Sequence, residues 1–60
     1  MSIPQVNEKV KIGENIGIIT RVFEPNEYHS GRFIVHIHAK NREYDSEFWF
    51  NDYGTSVIKA

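Results

Sequence analysis

Sixty residues, seven lysines and arginines against eight aspartates and glutamates, and no cysteine describe one small domain with a formal charge of −1. Disulfides and thiolate metal sites are excluded. The charges are mixed along the chain, without the basic excess or stripe of a nucleic-acid binder.

A chain this short buries only about 60% of the surface its unfolded form exposes. Its stability must come from a compact apolar core, from self-association or from a partner. Four phenylalanines, three tyrosines and one tryptophan supply such a core and argue against disorder. No apolar run is long enough for a membrane span. The start, Met1-Ser2-Ile3-Pro4, lacks the charged and apolar regions of a signal peptide, so a cytoplasmic location is expected.

Residues 1–5 are expected to be a flexible leader, because Pro4 discourages regular structure, and residues 6–60 to form the domain. Lys9-Val10-Lys11-Ile12 alternates polar and apolar, the pattern of a half-buried strand. Gly13-Glu14-Asn15 is a turn. Residues 16–23 are rich in β-branched side chains and predict a second, longer strand. Strict alternation groups Ile16, Ile18, Thr20 and Val22. A bulge near Thr20-Arg21 instead points Ile19 and Val22 inward together. The bend that a short strand needs in order to curl favours the bulge. Residues 24–31 form the longest irregular segment, with Pro25, Asn26, Ser30 and Gly31 as loop formers.

Residues 31–50 predict a two-stranded antiparallel ribbon. A reversal at Asn41-Arg42 places Lys40 opposite Glu43, His38 opposite Asp45, His36 opposite Glu47 and Ile34 opposite Trp49. The other face then carries Phe33, Val35, Ile37 and Ala39 against Phe50, Phe48, Ser46 and Tyr44. Asn41 tolerates positive φ and can open a two-residue loop. Asn51-Asp52-Tyr53-Gly54 predicts a single 3₁₀ turn, and residues 55–59 a final strand with Val57 and Ile58 as its apolar residues. No α-helix is expected beyond a turn.

Gly17-Ile18-Ile19-Thr20-Arg21-Val22 resembles the second strand of KOW-type and Tudor-type modules. Phe48-Trp49-Phe50-Asn51-Asp52-Tyr53-Gly54 resembles the aromatic strand end that leads into their single turn. The resemblance covers residues 6–59 and implies an all-β, five-stranded SH3-like small barrel with one 3₁₀ turn before the last strand. The chain departs from nucleic-acid-binding KOW modules in lacking their basic excess. It also lacks the pore-lining Gln-Ile-Tyr segment of the small-barrel type II dihydrofolate reductases. Fold-level likeness carries no function by itself.

His36 and His38 lie two apart on a strand and point the same way. Neutral imidazoles at that spacing can share a metal, with Asp45 or Glu47 completing the set. The plainer and favoured reading is a solvated salt-bridge ladder that needs neither metal nor cofactor and raises both histidine pKa values. Ile34 and Trp49 share the otherwise polar face, and an exposed Trp–Ile pair is an interface anchor. Tyr28 and His29, in the long loop, are secondary candidates. Tyr53 reads as a core lid. Ser30, Ser46 and Ser56 lack a base and an orienting group, and a chain this small has little room for a water-excluding pocket. The expectation is a non-enzymatic interaction or regulatory module. Its contact face is Trp49, Ile34, His36, His38 and Glu47, with Tyr28 at the rim. The expected partner is another protein or a second copy of the chain. The alternative is an RNA- or DNA-associated module, in which Lys9, Lys11, Arg21, Arg32, Lys40 and Arg42 cluster on folding and the aromatics stack bases.

Overall fold

The computed structural model describes residues 3–60. It contains β1 (Lys9–Ile12), β2 (Asn15–Phe23), β3 (Arg32–His38), β4 (Glu43–Trp49), a 3₁₀ turn (Phe50–Asp52) and β5 (Ile58–Lys59). The strands form one antiparallel sheet in the order β4-β3-β2-β1-β5. The expected all-β fold and the 3₁₀ turn before the last strand are both present. Closure into a barrel is not: the sheet is open, with β4 and β5 as its edges. Among the described residues, no helix is long and apolar enough to cross a membrane.

The last strand is shorter than expected, and its local hydrogen bonds show why. Asp52 O accepts from Thr55 N–H at 3.1 Å and from Val57 N–H at 3.0 Å, which holds Thr55 and Ser56 in a turn. Only Ile58 and Lys59 pair with β1, opposite Lys11 and Val10. Two rungs cannot bring β5 round to β4. Side chains span the gap instead. The Tyr53 ring meets Phe33 edge-on at 6.0 Å, and its hydroxyl donates to Glu8 just before β1. Of the expected leader, Met1 and Ser2 lie outside the described residues, while Pro4 is buried.

The bulge in β2 is where the sequence placed it. Ile19 pairs with Val35 and Arg21 with Ile34, so Thr20 is the extra residue. Its Oγ1 donates to Ile34 O at 3.3 Å. Ile19 is fully buried and Val22 packs on the core, whereas Ile18 is half-buried on the other face. Gly17 sits just before this kink. A Cβ there would lie 2.5 Å from Val35 Cγ1 and 2.9 Å from the His36 carbonyl oxygen. The bare glycine lets β2 and β3 approach.

The core is Val10, Ile19, Phe33, Val35, Ile37 and Val57, with Ile12, Val22, Tyr44, Phe48, Phe50 and Tyr53 packed around it. It lies on the inner face of the sheet. Phe33 is its hub: Phe48 stacks on it at 5.8 Å, and Phe50 tilts against it at 6.3 Å.

The β3–β4 register differs from the expected one by two residues. The chain reverses at Lys40-Asn41, not at Asn41-Arg42, with Ala39 N–H donating to Arg42 O at 2.9 Å. The observed pairs are Arg32 with Trp49, Phe33 with Phe48, Ile34 with Glu47, Val35 with Ser46, His36 with Asp45, Ile37 with Tyr44 and His38 with Glu43. An even shift leaves every side chain on its expected face. This register stacks Phe33 on Phe48 and frees Phe50 from the ladder. Phe50 N–H then donates to Gly31 O at 3.1 Å and begins the 3₁₀ turn one residue early. Gly31 has φ +94°, and a Cβ there would meet the Phe50 ring and Pro25 at 3.0 Å. The bend needs no left-handed residue; Asn7 is the one non-glycine with positive φ among the described residues.

Two outcomes are expected. Gly17→Ala forces a methyl group against a backbone carbonyl and lowers stability by about 1–3 kcal/mol; an unchanged denaturation midpoint would contradict the close approach. Tyr53 is pushed from its ordinary value of 10 up to about 12, first by desolvation and then by its hydrogen bond to Glu8. The neutral phenol therefore contributes stability that is complete below about pH 10 and lost as pH rises through the folded value. Alkaline titration of wild type and Tyr53→Phe should differ by one phenol ionising near pH 12. A difference step at or below its ordinary value would show that Tyr53 is solvated.

Candidate functional site

The outer face of the sheet is built from rungs that cross β2, β3 and β4. The first is Phe23, Arg32 and Trp49; the second is Arg21, Ile34 and Glu47. Next come Ile18, His36 and Asp45, then Ile16, His38 and Glu43. Lys9 and Lys11 on β1 extend the last two rungs. From Arg32 to His38 the face runs about 20 Å, because a strand rises roughly 3.3 Å per residue. The expected contact residues therefore share one surface, yet they divide between its two ends.

The aromatic end adjoins the long loop. Trp49 is 49% exposed. Its backbone N–H donates to Asp52 Oδ2 at 3.0 Å, which ties the end of β4 to the 3₁₀ turn and fixes where the indole leaves the chain. Ile34 was expected opposite Trp49 but lies on the diagonal beside it; Arg32 takes the opposing place. The Arg32 guanidinium stands 5.0 Å from the centre of the Phe23 ring, a cation–π geometry. Its Nε, a buried atom with no hydrogen-bond partner, forms an ion pair with Glu47 Oε2 at 3.6 Å. Glu47 therefore answers Arg32 rather than His36. Tyr28 is 86% exposed on the loop. Asn26 Oδ1 accepts from Tyr28 N–H at 2.7 Å and from His29 N–H at 3.1 Å, and His29 Nδ1 accepts from Gly31 N–H at 3.1 Å. His29 is thus a loop brace.

The imidazole end adjoins the Lys40-Asn41 bend. His36 Nδ1 lies 2.8 Å from Asp45 Oδ1, and His36 Nε2 lies 3.0 Å from Glu43 Oε1. The same Glu43 oxygen is 2.8 Å from His38 Nδ1. The two rings are edge to face with centres 5.0 Å apart. Hydrogen bonds to Asp45 and then Glu43 raise the His36 pKa, and the bond from His36 draws that of Glu43 down.

Phe23 was not among the sequence candidates, Arg32 was named only among the basic residues of the nucleic-acid alternative, and Glu43 was expected opposite Lys40. Alternation alone puts Glu43, Asp45 and Glu47 on the histidine face. Which carboxylate meets which ring depends on the register, and Phe48 and Phe50 compete to set it. Comparison with protein-family models, with curated proteins and with solved structures finds no match to this chain. The chemistry of the face alone carries the functional reading.

The His36 ion pairs contribute stability that is complete below the ordinary histidine value of 6.5 and fades as pH rises through the higher folded value. An NMR titration is expected to place the His36 ring above 6.5, and Asp45→Asn to bring it down. A wild-type midpoint below 6.5 would break the link between the bond to Asp45 and the shift.

Proposed function

We propose that this protein is a small non-enzymatic interaction module that engages a protein partner, or a second copy of itself, through the aromatic end of its outer face. One juxtaposition carries the reading: a half-exposed Trp49 on the rung shared with Arg32 and Phe23, with Ile34 on the diagonal. Tryptophan and arginine dominate the energetic centres of interfaces, where a desolvated anchor sits inside a polar rim. Here Glu47 and Arg21 supply the rim, and Tyr28 projects from the adjoining loop. The site sits on rigid strands, so little order is lost on binding. A cytoplasmic setting belongs to the proposal and suits a chain without cysteine.

An RNA- or DNA-associated role is the second reading. Lys9, Lys11 and Arg21 are exposed and share the face with Trp49 and Phe23. The carboxylates of Glu43, Asp45 and Glu47 on the same face place it second. Filter binding at low salt decides it, because nonspecific phosphate affinity is greatest there. No retention at micromolar protein ends it.

Trp49→Ala is expected to weaken partner binding by about 2 kcal/mol or more, roughly 30-fold, with the fold intact. Affinity capture from the native host with wild type and variant reads the difference. Light scattering tests whether the solution mass exceeds the 7.0 kDa of one chain. Equal capture by both proteins, or a variant that no longer folds, removes Trp49 from the interface.

A further inference from the structure

We infer that His36, His38 and Glu43 form a binding site for a borderline-soft divalent cation, with Zn²⁺ as the best-matched ion and Asp45 as the group that orients His36. This stands independently of the partner reading, at the opposite end of the face.

The argument begins with lone pairs. A neutral imidazole carries one N–H and one acceptor nitrogen. His36 has a carboxylate oxygen at each nitrogen, at 2.8 and 3.0 Å. When Nδ1 donates to Asp45, Nε2 turns a lone pair toward Glu43 Oε1. His38 Nδ1 meets that same oxygen at 2.8 Å. With both histidines neutral, His36 Nε2, His38 Nδ1 and Glu43 Oε1, from two strands, can each turn a lone pair toward one small volume. A metal ion there takes the place of the protons that otherwise join each imidazole to the Glu43 carboxylate.

The dimensions fit. A tetrahedral zinc with bonds near 2.0–2.1 Å holds its ligand atoms about 3.3 Å apart. The Glu43 oxygen lies 3.0 and 2.8 Å from the two ring nitrogens, and the three residues each offer a ligand atom within 4.8 Å of the others. The edge-to-face rings let the two nitrogens approach the ion from different directions. Two imidazoles and one carboxylate suit zinc rather than calcium or magnesium, which take oxygen ligands. Asp45 at His36 Nδ1 is the carboxylate–histidine–metal arrangement that fixes a ligand's tautomer and raises its basicity. Glu47, the other carboxylate expected from the sequence, is engaged with Arg32 instead. Three protein ligands leave a fourth position open to water or to a partner's side chain. Because the ligands come from β3 and β4, the ion also staples the hairpin beside its bend.

The test uses the full chain and Zn²⁺ alone. NMR titration should shift the His36 and His38 rings together at one equivalent while the His29 ring stays in place, and the melting temperature should rise with free zinc. Zinc affinity should fall at least tenfold in His38→Ala and in Glu43→Gln, and by roughly 10–100-fold in Asp45→Asn. Glu27→Gln should leave it unchanged. Backbone spectra establish that each variant is folded. No ring shift at ten equivalents overturns the site, as does binding that survives intact in folded His38→Ala or Glu43→Gln.

Discussion

The contact on which the rest of this molecule depends is the packing of Phe33 among Phe48, Phe50 and Tyr53. Phe33 is fully buried in the middle of the core. Its neighbours come from β4, from the 3₁₀ turn and from the residue that follows that turn. One ring therefore ties the 3₁₀ turn and the residue after it to the β3–β4 ladder. Aromatic pairs add about 0.5–1.5 kcal/mol each beyond the area they bury. For a domain whose burial is limited by its size, three such contacts are a substantial share of stability.

The same packing sets the outer face. Stacking Phe33 on Phe48 selects the β3–β4 register, and the register decides which charged side chains meet. It brings His36 between Asp45 and Glu43, gives Glu47 to Arg32, and leaves Trp49 at the end of the ladder. The asymmetry of the surface, aromatic near the long loop and imidazole-rich near the bend, is thus a consequence of the core beneath it. β4 is an edge strand, and its outward side chains include Glu43, Asp45 and Glu47. Charge on an edge discourages unwanted strand pairing, so these carboxylates protect the fold as well as shaping the site.

Much of this was legible before the fold was known. Alternation in residues 32–38 and 43–49 sorted every side chain of β3 and β4 to its face, because strand periodicity is two and survives an even error in register. The kink at Thr20 followed from the need to curl a strand whose apolar residues cannot all point inward. Tyr53 was recognisable as a lid from its place after the aromatic strand end. The shortness of β5 was not readable, because it depends on Asp52 O capturing two backbone donors. Nor was the Arg32–Phe23 contact, which joins two strands across a loop of irregular length.

The amino-acid order by itself determined the all-β class, the bulge and the composition of each sheet face, since these rest on local sterics and on period-two burial. Tertiary structure alone decided the bend at Lys40-Asn41, the open sheet and the sharing of Glu43 Oε1 by two imidazoles. Two registers two residues apart satisfy the same pattern of apolar and charged positions. Only the three-dimensional fit of Phe33 against Phe48, with Phe50 released to cap the core, distinguishes them.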